Sequence, residues 1–230
     1  MGGFWTKRLL TVMVAVALAA GLAGQAGAQT GPGYGSPTWA PDWFKYCTNP
    51  KQWVQWTWNQ QGQQIREWGF NYLPFPAEPI LSSASGILSV EMDNLRRPYY
   101  YKQVWVDITY TWSGTKIPDF SSPSNPLLEW DGGWSKLLEQ NSPVGPGLGT
   151  GWYNQDLGGS KGRFTAYFEI WPQPDWEKFT LQWDPKTYTI NGFDRVVMLT
   201  QCNPIPEPVF FQMGALLGLS GIGLLKLRRR

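Results

Sequence analysis

The chain contains no histidine, and that absence removes more chemistry than any motif adds. Ser-His-Asp and Cys-His nucleophilic catalysis, His-ligated zinc and the two-histidine, one-carboxylate iron site all need an imidazole. Carboxylates are what remain for acid–base work. Glu129 with Asp131, and Glu91 with Asp93, could flank a glycosidic bond, because that reaction needs two carboxyl groups about 5 to 9 Å apart and no histidine. Pairs spaced i, i+2 are also ordinary on the wet face of a strand. A carboxylate-dependent glycan hydrolase or lyase is therefore the alternative, and the chain is read as a non-enzyme. Gly145 to Gly151 lacks the Lys-Ser/Thr ending of a phosphate-cradling loop. Asp131 or Asp156 with backbone carbonyls could hold Ca²⁺, but no ligand-loop spacing is visible, so neither metal nor cofactor is expected.

Binding is better supported than catalysis. The chain has fifteen tryptophans, of which only Trp5 precedes residue 29, more than one core of this size usually holds. An indole face packs on the C–H face of a sugar ring, while Asp, Asn and Gln side chains meet the hydroxyls at its edge. Trp130, Asp131, Trp134, Trp152, Tyr153 and Asn154 supply those types within one stretch and form the candidate glycan contact. The same aromatics equally suit capping one end of a β-sandwich. Tyr99-Tyr100-Tyr101 reads as a strand-entry cluster rather than a ligand platform.

The elements that would position these residues are strands. From Gln103 to Trp112, Val104, Val106, Ile108, Tyr110 and Trp112 alternate with Gln103, Asp107, Thr109 and Thr111, the period of two that gives a buried face and a wet one. Gln52 to Trp58, Gly86 to Met92, Phe164 to Ile170 and Phe179 to Trp183 repeat it, and Asn191-Gly192 predicts a two-residue hairpin between Tyr188–Ile190 and Phe193–Gln201. Ser113 to Gly162 reads as the longest irregular stretch, an ordered surface feature with room for a helical turn or two around Trp134 to Gln140. Seven or eight short strands without helical crossovers predict an all-β fold. It is a single antiparallel β-sandwich of the jelly-roll kind over residues 42–204, behind a flexible leader over 29–41.

The two ends read as targeting. Lys7 and Arg8 precede an apolar stretch from Leu9 to about Ala23, with Ala26-Gly27-Ala28 as a cleavage site. Residues 1–28 are thus a secretory signal peptide for signal peptidase. At the other end Pro206, Glu207 and Pro208 meet an apolar run, Val209 to Leu225, followed by Lys226, Arg228, Arg229 and Arg230. Seventeen residues at roughly 1.5 Å each make a helix of about 26 Å, just long enough to span a hydrocarbon core, and the basic cluster holds its end in the cytoplasm. Both ends together carry six of the nineteen basic residues and one of the seventeen acidic ones. The body is left with thirteen against sixteen, mildly acidic and without a basic patch for nucleic acid. Export also makes a Cys47–Cys202 disulfide the default expectation, tying the two ends of the body together.

Triplet, Gly-rich span and basic terminus, in that order, resemble the PEP-CTERM sorting signal of Gram-negative bacteria. The resemblance covers Ile205 to Arg230 alone. It implies that a membrane-embedded exosortase recognises Pro206-Glu207-Pro208, removes the helix, and releases or attaches the body at the cell surface. Such organisms usually make exopolysaccharide. Phe193 to Leu199 likewise resembles the closing strand of jelly-roll domains found upstream of such tails. The expectation is an exported cell-surface or extracellular-matrix protein, in the inner membrane only transiently. It would be structural or glycan-associated in an exopolysaccharide or biofilm layer, with extracellular polysaccharide as its partner.

Overall fold

Alternating side chains bury one face of a strand, and the chain builds twelve strands on that rule within the residues described by the computed structural model: 29–34, 36–72, 76–94, 100–121, 126–131 and 134–204. In chain order these are β1 (Gln29–Tyr34), a single helical turn α1 (Asp42–Lys45), β2 (Lys51–Trp58), β3 (Gln64–Phe70), β4 (Ile80–Ala84), β5 (Ile87–Asp93) and β6 (Tyr100–Ser113). Then follow β7 (Leu127–Trp130), β8 (Trp134–Leu137), β9 (Gly151–Gly158), β10 (Lys161–Ile170), β11 (Trp176–Gln182) and β12 (Thr189–Pro204). Seven strands form one sheet in the order β1-β3-β2-β12-β6-β10-β9, and five form another in the order β4-β5-β11-β7-β8. Every pairing is antiparallel except β1 on β3.

The two sheets share one core. Val54, Val104, Val106, Ile108, Tyr110, Phe164, Phe168, Val196 and Met198 from the larger sheet pack with Leu88, Val90, Leu128, Phe179 and Leu181 from the smaller. At about 25 cal/mol per Å² of apolar surface removed from water, this shared interior is the main stabilising term. The chain crosses between the sheets six times, from β3 to β4, β5 to β6, β6 to β7, β8 to β9, β10 to β11 and β11 to β12.

A second, smaller core covers the opposite face of the larger sheet. Ala40 and Phe44 lie on Trp53, Val197 and Leu199, with Trp39, Trp43 and Trp105 at the margin. Lys51 anchors this segment by donating from Nζ to the carbonyls of Phe44 (2.8 Å), Lys45 (3.1 Å) and Cys47 (2.8 Å). The stretch read as a flexible leader therefore supplies β1 and the first residues of this packed flap.

Three local expectations are overturned. Asn191-Gly192 is not a hairpin turn. The chain runs straight through it as β12, and the register on β6 slips between Ile190 and Gly192 as a bulge. A type I′ turn needs positive φ at both central residues, and neither residue is among those with positive φ. The Ser113–Gly162 stretch holds three strands, β7, β8 and β9, where the sequence suggested irregular chain, and Trp134–Leu137 is strand rather than helical turn.

Nor are Cys47 and Cys202 joined by a disulfide. Alternation along β12 puts Cys202 on the inner face in phase with Val196 and Met198, opposite Lys102. Cys47 belongs to the flap on the outer face, where its carbonyl caps Lys51. A sheet lies between the two side-chain directions.

Candidate functional site

The predicted glycan contact divides into two places. Trp130 ends β7 directly opposite Trp134 at the start of β8, so the two indoles share one face of the β7–β8 hairpin. Trp130 leans on the core, whereas Trp134 is 65% exposed on a strand whose four residues all face solvent. Asp131 caps the hairpin and accepts a hydrogen bond from the backbone N–H of Asp175 at 2.8 Å, which fixes the carboxylate beside the indole pair.

Trp152 and Tyr153 lie instead on β9, at the edge of the larger sheet. Trp152 is buried. Its Nε1 donates to the Leu138 carbonyl at 2.9 Å and its ring stacks on Phe164, so its indole belongs to the core. Asn154 is also engaged, accepting from the Tyr110 hydroxyl (2.8 Å) and donating to the Pro118 carbonyl (2.9 Å). Tyr153 is half-buried opposite Thr165. Both Trp152 and Asn154 line a shallow depression of about 290 Å³ with Asp119, Ser121 and Gln140.

The outer face of the larger sheet carries an arrangement that the sequence did not single out. Tyr101 and Trp171 stack with ring centres 4.8 Å apart and planes 3° from parallel, and Trp171 is half-exposed. Beside them Gln103 donates to Glu169 (3.1 Å) and accepts from Gln201 (2.6 Å) and Asn203 (2.7 Å). Asn49 donates to Asn203 at 2.9 Å, and the Tyr167 hydroxyl donates to Glu169 at 2.8 Å. Burial beside Glu169 suppresses the acidity of both the Tyr101 and the Tyr167 phenol. A stacked aromatic pair flanked by amides and a carboxylate is the group set a neutral sugar would use. The signal was cross-strand: Gln103 and Gln201 face each other in register, which no linear motif reveals.

The carboxylate pairs fare differently. Glu129 and Glu91 flank Lys178 from β7 and β5, and Asp131 is turned to Asp175. Asp107, fully buried, holds Arg163 through Nε (2.8 Å) and Nη2 (2.5 Å) and Arg195 through Nη2 (3.2 Å). It pins β6 to both of its neighbours. Among the described residues, no group of three or more Cys, Asp or Glu side chains is placed to share a metal ion.

Charge also lies between the sheets. Lys102 (1% exposed) points inward from β6 and Glu177 (0% exposed) from β11, with Nζ and Oε1 3.6 Å apart. Lys102 Nζ also donates to Asn94 Oδ1 at the end of β5. Tyr72 donates to Gln52 at 3.0 Å nearby. Burial pushes the Glu177 carboxyl up to about 7, with Lys102 pulling it down and Asp93 and Asp131 adding to the rise.

The sorting residues Pro206, Glu207 and Pro208, the apolar run 209–225, the basic cluster Lys226, Arg228, Arg229 and Arg230, and the signal peptide 1–28 lie outside the described residues. Among the described residues no helix is long and apolar enough to cross a membrane. Compared with known protein families and with curated proteins, the chain matches none.

Proposed function

We propose that this is an exported, exosortase-sorted β-sandwich of the jelly-roll kind, structural or glycan-associated, that works in the exopolysaccharide or biofilm layer of a Gram-negative cell. The observation that carries the reading is the order of Pro206-Glu207-Pro208, apolar run and basic cluster behind a strand-rich body, with Lys7 and Arg8 before an apolar stretch and Ala26-Gly27-Ala28 ahead of that body. A purely adhesive or structural role needs no catalytic constellation, and the histidine-free composition suits it. Among the described residues the glycan-facing groups are two exposed indoles: Trp134, with Trp130 and Asp131 beside it, and Trp171, stacked on Tyr101.

Affinity electrophoresis in a gel carrying the producing organism's own polysaccharide tests it. The protein is retarded, and Trp134→Ala with Trp171→Ala removes the retardation while the fold survives. An unretarded wild type overturns glycan association and leaves the structural role.

A further inference from the structure

A lysine amine, an amide carbonyl and a carboxyl group meet inside the sandwich. Lys102 and Glu177 are both sealed from solvent and 3.6 Å apart, and Lys102 Nζ is held against the side-chain carbonyl of Asn94. Asn94 Nδ2 is inaccessible and makes no hydrogen bond, and neither oxygen of Glu177 has a hydrogen-bond partner. Burying that much polarity costs free energy and leaves donors and acceptors unmatched. Ion pairing alone is a poor return, since buried ion pairs seldom outperform apolar packing. The backbone fixes the geometry. Asn94 N–H donates to the Asp175 carbonyl at 2.7 Å, which seats Asn94 beside the start of β11 and so beside Glu177.

We propose that Lys102 and Asn94 become joined by an intramolecular isopeptide bond that staples β6 of one sheet to the end of β5 in the other, with Glu177 as the proton-transfer group. In the ion pair the Lys102 ammonium gives one proton to the Glu177 carboxylate, leaving a neutral amine and a carboxylic acid. Desolvation favours that exchange, because it removes both charges from an apolar interior. The amine attacks Cγ of Asn94 while the Glu177 carboxylic acid donates to Oδ1. The Nζ–Cγ bond forms, one proton from the attacking nitrogen passes to Nδ2 through Glu177, the Cγ–Nδ2 bond breaks, ammonia leaves, and Oδ1 returns its proton to Glu177 as the carbonyl re-forms. Amine plus amide give substituted amide plus ammonia, with Glu177 left protonated, so no oxidant, reductant or co-reactant is required. Fixed proximity supplies the rate that the same groups would lack in water. The positive-to-neutral change at Lys102 also removes the buried charge.

Peptide mapping of the full-length protein, denatured and digested with trypsin, reads the bond directly. Trypsin cleaves after Arg96, between the two residues. A linked pair of peptides carrying Asn94 and Lys102, lighter than their sum by about 17 Da for the lost ammonia, is the predicted product of Lys-amine chemistry. Glu177→Gln, confirmed folded by circular dichroism, should yield only the two linear peptides. A folded wild type that gives the linear Asn94 peptide and free Lys102 overturns the proposal, and that single map decides it even if the variant does not fold. A linked pair persisting in folded Glu177→Gln removes Glu177 from the chemistry. Neither outcome depends on export or on glycan binding.

Discussion

At the scale of the residue, identity did not decide fate. Trp134 and Trp152 are the same side chain, and nothing adjacent to either in sequence distinguishes them. Position in a sheet does: Trp152 falls on the inner phase of β9 against Phe164, and Trp134 on an edge strand with no sheet opposite it. Trp152→Ala should therefore cost about 3 to 5 kcal/mol, and Trp134→Ala should stay within about 0.5 kcal/mol, both read from urea midpoints. Equal losses would contradict the burial assignment. Lys102 was legible in principle, because it continues the phase of Val104 and Val106 into the core, but a charged residue at the start of a run reads naturally as the strand's boundary. Its partner Glu177 likewise sits in phase with Phe179 and Leu181.

Glu177 also gives a pH prediction. Its carboxyl sits at about 7 in the folded chain against an ordinary 4.5. Between those values the unfolded chain releases a proton that the folded one keeps, so this group's contribution is full below 4.5 and falls away as pH rises through about 7. Glu177→Gln should flatten the decline in urea midpoint between pH 4.5 and 7.5. A wild type and variant with parallel profiles would show that the carboxyl does not titrate in that window.

At the scale of the element, the strands with clean alternation were legible and the punctuated ones were not. β6 and β10 announce themselves because their inner positions are apolar from Val104 to Trp112 and from Phe164 to Ile170. β8 is short and wholly exposed, so it carries no alternation to read. Asn191-Gly192 has the composition of a hairpin turn, yet the ladder of β12 on β6 runs past it for the whole strand, and a bulge absorbs the extra residue. The flap was hidden for a different reason. Its Gly/Pro content suggests loose chain, while its grip comes from a few side chains that find Trp53, Val197 and Leu199 across the sheet. Phe44, fully buried within a single helical turn, is the anchor. Phe44→Ala should cost about 3 to 4 kcal/mol, as for a core phenylalanine, in a chemical denaturation series. A loss below about 1 kcal/mol would mean that the flap does not hold the sheet's outer face.

At the scale of the whole molecule, the all-β class was legible, and the side-chain network on the outer face was not. Two sheets over one apolar core follow from composition and period alone, whereas the amide network around Gln103 exists only once β6, β10 and β12 lie side by side. The mildly acidic body and the basic ends are the charge pattern behind the proposed division into cargo and address. The central claim is that the address is read and removed. Mass spectrometry of both termini of the native protein, recovered from the cell envelope or matrix, tests it most directly. An N-terminus at Gln29 and a C-terminus at the Pro206-Glu207-Pro208 triplet, without Arg230, is the predicted result. An intact chain from Met1 to Arg230 in the soluble cytosol would contradict it.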